Sequence, residues 1–546
     1  MLTPRALGLS ILCTTLLSQT AAGQGDNAEP IRGGTLRISL SGDWAHWTDR
    51  FGRPNPVNPS LREGQREPLG AYFASDSVGT SRVPTLAPAE LELRSITGLG
   101  AYALNLGSAT LRFDASVRST PLRIDYVPSR RFGVSVAVPL VRSRVSVSLR
   151  GPDTSNVASL GNVGLNPALA SPTAYAAFRS EVDAALTALA TQATTAPTAQ
   201  LRADAQALYD EYQAALCGMY ALAGGSAPDP SSPCFRPTAF DLSPVLPVDT
   251  SEAGDSLIAL LGRSQTEYEA LRAQYQAAGI GIPSFTAGYQ LPSSPLDSLG
   301  FRQVFSSTGG QVTSDSLAEV VRTGIGDMEV GAWFQLSESR TWRSQLQFLV
   351  RLPTGKMDEP GNLVDIGTGD RQMDIEITSR NDFWLGRRLR LFVGARYGIQ
   401  MADEIERRVT PWYTPIVPAT NTALVRRNLG DYLGLDIAPH WLLDEAFEVG
   451  FGYSYFRQGA TTFEYVNSAD QAAIGLPASV LGEATEISRM RAGVGVTFST
   501  LSRYYAGRSR LPLRVTWSYQ STLYGRGGQV PVAGVVRLNI ETFIRL

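Results

Sequence analysis

The stretch that most constrains the fold is Gln529–Leu546, QVPVAGVVRLNIETFIRL. Val536, Leu538, Ile540, Thr542, Ile544 and Leu546 fall on one parity. Val535, Arg537, Asn539, Glu541, Phe543 and Arg545 fall on the other. A period of two is the signature of a strand with one apolar and one mostly polar face. A soluble antiparallel sheet could use such a strand. So could a membrane barrel, with the apolar face on lipid and the charged face on the lumen. Only the number and spacing of further strands can separate the two.

The chain supplies them. Leu36, Ile38, Leu40 and Trp44 oppose Arg37, Ser39, Ser41 and Asp43. Leu111, Phe113, Ala115 and Val117 oppose Arg112, Asp114, Ser116 and Arg118, and after Ser119-Thr120-Pro121 the apolar set becomes Leu122, Ile124 and Tyr126. Beyond the turn Pro128-Ser129-Arg130 come Phe132, Val134, Val136, Val138 and Leu140; past Pro139 the apolar parity changes to Val141, Val145, Val147 and Leu149. A change of parity predicts a β-bulge, where Pro is tolerated. Alternation resumes at Gly326 and recurs to the terminal strand. Short joins near 128–130, 337–341, 385–388, 442–445 and 501–512 alternate with long loops at 53–88, 151–320, 353–371, 402–427 and 458–485. Short turns on one side and long loops on the other is the outer-membrane arrangement. The pattern predicts an all-β membrane fold, an antiparallel transmembrane β-barrel of about fourteen strands with twelve as the alternative. An even count puts both termini in the periplasm. Charged residues are nearly absent from the apolar parity, where each would cost about 2–4 kcal/mol at mid-membrane. A terminal strand of this form resembles the closing strand of bacterial outer-membrane barrels, which their assembly machinery recognises. Leu546 departs from it, since an aromatic residue usually ends that strand.

Residues 1–23 read as a secretory signal, with Arg5 before an apolar core from Ala6 to Leu17 and small residues towards Gly23. Localisation in the outer membrane of a Gram-negative type of cell follows, after cleavage. Residues 24–150 then form the first part of the barrel and 321–546 the second. Residues 151–320 form an extracellular, mainly helical insert. Its first helix is expected from Ser171-Pro172, with Phe178, Val182, Ala185 and Leu189 on one face. The second spans about Thr198 to Cys217 and the third about Ser251 to Ala278, ending at Gly218 and Gly279. After the leader only Cys217 and Cys234 remain, and an even pair in an exported chain predicts one disulfide.

The near balance of 48 basic against 50 acidic residues, without a basic run, argues against a nucleic-acid partner. Outer-membrane lipid, a small-molecule substrate and the barrel assembly machinery are the expected partners. Two histidines, His46 and His440, are too few for a metal cluster or a nucleophile–His relay. His46, between Trp44 and Trp47, reads as a rim residue beside an aromatic girdle, and His440 lies by a short turn. Gly324-Ile325-Gly326 and Gly367-Thr368-Gly369 lack the strand-then-helix setting of a phosphate loop. No cofactor and no enzyme activity is expected.

Three motifs follow one another: Gly324-Ile325-Gly326-Asp327, Leu352-Pro353-Thr354-Gly355-Lys356 and Gly367-Thr368-Gly369-Asp370. Together they resemble the outer-membrane family of phenol meta-pathway degradation proteins, relatives of the long-chain fatty-acid transporters. The match covers roughly residues 324–400, with weaker agreement around 126–139. The resemblance implies a barrel that passes hydrophobic or aromatic small molecules across the outer membrane. Those transporters plug their lumen with a long N-terminal segment. Here only about ten residues lie between the expected cleavage site and the first strand, too few to fill a barrel. Glycines at strand ends also permit tight turns, so the motifs have an architectural reading too.

Candidate lumen residues are the charged Arg343, Arg390, Arg396, Glu329, Asp374 and Glu376 and the aromatic Trp333 and Phe456. Arg112, Arg491, Arg514, Asp114, Glu541 and Phe392 share their parity. Three functions fit: a channel or transporter for hydrophobic or aromatic molecules, a general diffusion porin for polar solutes, and a surface adhesion barrel acting through its insert.

Overall fold

The computed structural model describes residues 33–53, 62–71, 79–80, 86–107, 110–150, 159–161, 173, 175–223, 231–235, 246–296, 319–360, 365–413, 421–527 and 530–546. The expected signal sequence, and the expected helix start at Ser171-Pro172, lie outside them.

Twelve antiparallel strands close into a barrel. They are β1 Thr35–Trp47, β2 Thr110–Ser129, β3 Phe132–Arg150, β4 Met328–Glu338, β5 Trp342–Leu352 and β6 Asp374–Leu385, then β7 Leu389–Gln400, β8 Tyr432–Leu442, β9 Phe447–Gln458, β10 Ile487–Ser499, β11 Leu513–Gly527 and β12 Gly534–Arg545. Each pairs with the next in chain order, and β12 returns to β1 with Leu40 opposite Ile540 and Asp43 opposite Arg537. A further strand, Val320–Ile325, continues the line of β4 along β3. The expected fourteen is therefore corrected to twelve. Asp403–Arg408, Thr422–Asn428 and Thr462–Tyr465 leave the wall and pair as their own sheet. Asp49–Phe51, Arg66–Pro68 and Val530–Pro531 make another.

The bulge expected in β3 near Pro139 is a second correction: the extra residue lies on the facing chain, where the pairing moves from Ala137–Glu329 to Leu140–Ile325. The β2–β3 ladder runs from Thr110–Arg150 to Tyr126–Val134 without a shift of register. Even-numbered residues face outward from Arg112 to Tyr126 and from Phe132 to Ser148. What changes is the surroundings. On the short-turn side of Thr120–Leu140 the outward row is apolar: Leu122, Ile124, Val134, Val136 and Leu140. Beyond it the outward row is Arg118, Ser116, Asp114, Arg142 and Arg144. The inward row there is apolar instead, with Phe113, Ala115, Val117, Val141 and Val145 all buried. Arg112 and Asp114, expected in the lumen, thus lie on the outside.

The apolar outward rows form a belt around the barrel. From Phe132 to Leu140 a strand at ~3.4 Å per residue and ~40° tilt climbs about 21 Å, near the height of a barrel's lipid-facing band. Aromatic side chains rim it at the short-turn end. Phe132 and Phe334 lie 5.0 Å apart, Trp342 stacks on Phe383 at 6.4 Å, and Phe447 meets Phe498 at 5.1 Å. At the other rim, Trp44, Val536 and Tyr519 lie side by side across the seam. Trp47, expected in that girdle, points inward and is 1% exposed. No helix among the described residues is long and apolar enough to cross a membrane.

Helices roof the long-loop end. They are α1 Ala87–Thr97, which begins at the end of the expected 53–88 loop, α2 Ala176–Thr195, α3 Ala199–Leu222 and α4 Glu252–Ala277. Thr198 and Ser251 cap α3 and α4 through their hydroxyls. α4 stops before Gly279, whose φ of 78° suits glycine. α3 does not stop at Gly218, as expected, but runs on to Leu222. Gly218 instead lets α1 approach closely: a Cβ there would meet Glu92 at 2.4 Å and Ile96 at 2.5 Å. Cys217 and Cys234 are joined as a disulfide, which ties the loop after α3 to that helix. One hydrophobic core connects this cap to the barrel wall, with Leu86 just before α1, Leu93 of α1, Phe178, Leu216, Leu257 and Tyr275 in the same cluster as Trp47, Phe113 and Val145.

If the belt faces lipid, Val136→Arg should cost about 2–4 kcal/mol and Ser146→Arg, further along the same outward row, about 0–1. Urea titration of folded, heat-modifiable protein measures both; equal losses would contradict the assigned boundary.

Candidate functional site

The lumen is built from the inward residues of the twelve strands, and all eight candidates face it. Arg343, Arg390, Arg396, Asp374, Trp333 and Phe456 are buried, and Glu329 and Glu376 are half-buried. They do not form one cluster. They fall into tiers along the barrel.

Nearest the short turns, Arg390 bonds Asp382 and Glu448, both at 2.5 Å. His440 Nδ1 lies 2.6 Å from the same Glu448. Arg343 reaches Glu338 at 3.4 Å and lies 5.3 Å over the Trp384 ring. His440 is therefore a lumen residue, inward from its turn. The middle tier mixes guanidinium groups with aromatic rings. Arg489 lies 4.7 Å over Phe456, Arg380 5.9 Å over Phe392, and Arg396 faces Asp436 at 3.7 Å. Such cation–ring contacts are electrostatically favourable. In the tier towards the cap, Arg351 bonds Asp374 at 2.5 Å and Glu329 at 3.2 Å. Tyr432 donates to Glu376 at 2.7 Å. Polar pairs also cross the seam strand: Arg37 to Asp125 at 3.0 Å, Arg514 to Glu541 at 3.2 Å and Arg537 to Asp43 at 2.5 Å.

Large inward side chains need small neighbours. A Cβ at Gly133 would stand 2.5 Å from the Trp333 ring, one at Gly398 2.0 Å from the Tyr432 ring, and one at Gly434 2.3 Å from Arg396 Nε. Glycine across the ladder from a bulky residue was the sequence signal for which lumen residues are largest. Outside the belt, two carboxylates show how local partners set charge. Backbone N–H groups of Ala446 and Phe447 hold the Asp444 carboxyl below its usual range. Burial pushes Glu67 up, against the opposing pull of Arg50 at 2.8 Å. His46, outward at the rim, lies 3.1 Å from Asp114. Among the described residues no group of His, Cys, Asp or Glu is arranged to hold a metal ion.

The three glycine motifs meet in the wall where β5 ends. Leu352 pairs with Met328, and beyond that point Val320–Ile325 has β3 on one side but not β5 on the other. The loop after β5 covers that edge. Thr354 Oγ1 donates to Gly326 O at 2.8 Å and accepts from Met328 N at 2.9 Å. Thr368 Oγ1 donates to Ile325 O at 2.9 Å and accepts from Lys356 N at 3.0 Å. Asp327 accepts from Gly355 N at 2.8 Å and Asp370 N at 3.0 Å. A Cβ at Gly369 would lie 2.3 Å from Asp327, and one at Gly355 2.6 Å from Gly369 Cα. The motifs are thus a knot of mutual hydrogen bonds that only glycine backbones can enter.

No protein-family model and no curated protein matches the chain. Solved structures of similar fold include an outer-membrane channel from Pseudomonas putida F1, 7% identical over 95% of this chain and 99% of that one, TM-score 0.40. The Ralstonia pickettii toluene transporter TbuX is 9% identical over 95% and 92%, TM-score 0.28. A form of the TodX monoaromatic hydrocarbon channel is 8% identical over 94% and 91%, also at 0.28.

Asp327→Ala leaves the buried N–H of Gly355 and the half-buried N–H of Asp370 without their acceptor and should cost about 1–3 kcal/mol for the buried one. The midpoint of urea unfolding should fall, and limited proteolysis should cut within 353–373. An unchanged midpoint and an uncut loop would show that the knot does not hold the wall.

Proposed function

We propose that the protein is an outer-membrane channel for hydrophobic or aromatic small molecules. The observation that carries this reading is the apolar inner wall of the long-loop mouth. Trp47, Phe113, Val117, Val141 and Val145 line it, and they are buried against the cap. Short periplasmic turns and long outer loops are the usual orientation, so the cap faces the cell exterior. Access from outside then leads through apolar side chains, which an apolar solute wets and a hydrated ion does not. Below the cap, Trp333, Phe392 and Phe456 set aromatic rings among the charges of the inward face.

The charged tiers favour a second reading, a porin for polar solutes. Planar-bilayer recording of the refolded full-length barrel separates them. The hydrophobic channel should show little steady conductance in potassium chloride, because the cap closes the hydrated path. Stable, long-lived porin-like steps from unmodified protein would support the second reading against the first. In whole cells, loss of the protein should slow uptake of a dilute aromatic compound while leaving that of a small sugar unchanged.

A further inference from the structure

On the outward face of β2 and β3, Arg118 stands directly opposite Arg142 in the ladder. Both side chains are exposed. Like charges placed directly across two strands repel, since their Cβ atoms are only ~5 Å apart. Neither residue makes a hydrogen bond or ion pair among the described residues, although their neighbours do. His46 takes Asp114, and Arg144 takes Glu319 at 2.8 Å. Glu319 feels the charge of Arg142 but is bonded to Arg144. Four outward arginines, Arg112, Arg118, Arg142 and Arg144, therefore face two carboxylates that are already engaged.

The position of the pair is specific. It lies one outward row beyond Thr120–Leu140, where the apolar belt ends, and Leu140 is 57% exposed. Arg118 also stands opposite Trp44 of β1, a rim residue that is 48% exposed. Two guanidinium groups side by side at the level of the aromatic rim sit where lipid headgroups begin. A guanidinium fork matches phosphate geometry, and a phosphate between the two would turn their repulsion into shared attraction.

We propose that this face is a docking surface for the phosphorylated, acylated disaccharide lipid of the outer leaflet, with Arg118 and Arg142 as its phosphate-binding pair. The acyl chains lie along the outward row of Leu122, Ile124, Val136 and Leu140. The inference rests on the outer-membrane orientation proposed above, but not on what passes through the lumen.

Native mass spectrometry of the full-length protein in detergent, with added bisphosphorylated lipid A, tests it. Wild type should retain lipid A adducts and lose them when the dephosphorylated lipid is supplied. Arg118→Gln with Arg142→Gln should lower retention by about tenfold or more. Removing a like-charge pair does not threaten folding, which heat-modifiable migration confirms in the same sample. Arg457→Gln is the control, because Arg457 is outward at a comparable height, opposite Leu433 next to Tyr397, but is paired with Glu486 at 2.7 Å. It should retain lipid A as wild type does. Equal retention by the double variant would overturn the proposal. So would equal retention of phosphatidylglycerol by wild type, which would mark a merely anionic preference. A conductance result that contradicts the channel reading would leave this outcome unaffected.

Discussion

Every backbone group that meets hydrocarbon must find its partner within the protein, and the ladder between β1 and β12 makes that possible here. Without it the sheet would expose two long edges to lipid. With it, each strand has neighbours on both sides, and the side chains can sort into two environments. The polar pairs that cross the seam, Arg537 with Asp43 and Arg37 with Glu541, lie on the lumen face and leave the lipid face apolar. Beside Val320–Ile325, where β5 does not reach, the three glycine motifs supply side-chain and backbone bonds instead.

The same strands serve two solvents along their length. On β2 and β3 the outward row is apolar through the belt and charged above it, while the inward row does the reverse. A continuous ladder with a reversal of polarity means that the wall rises out of the membrane and becomes the floor of a soluble-type core. The cap is then not a separate domain resting on the barrel. It completes a core whose other half is the barrel's own inner wall.

Much of this was legible in the residues. Period-two alternation located every barrel strand, and the alternation of short and long joins fixed which end carries the loops. The parity of Trp333, Arg390 and Phe456 placed them in the lumen. The errors have one physical source: sequence periodicity reports polarity, not direction. A change of apolar parity at Pro139 looked like a bulge because lipid and a protein core are equally apolar neighbours. Arg112 and Asp114 looked like lumen residues for the same reason. The strand count rose above twelve because β2 and β3 each change apolar parity part-way and so read as two strands apiece. The role of Asp327 could not be read at all, since its partners Gly355 and Asp370 lie in other motifs and only the fold brings them together.

The reversal of environment along one unbroken ladder is the claim on which the assignments of belt, lumen and cap all depend. Spin labels placed singly at positions 134 to 146 of β3, with their accessibility to oxygen and to a water-soluble nickel complex compared, test it directly. The account predicts oxygen access at Val134, Val136, Val138 and Leu140, nickel access at Arg142, Arg144 and Ser146, and protection from both at Val141 and Val145. Oxygen access at Val141 and Val145 would mean that the apolar face stays on lipid through a bulge, and would contradict it.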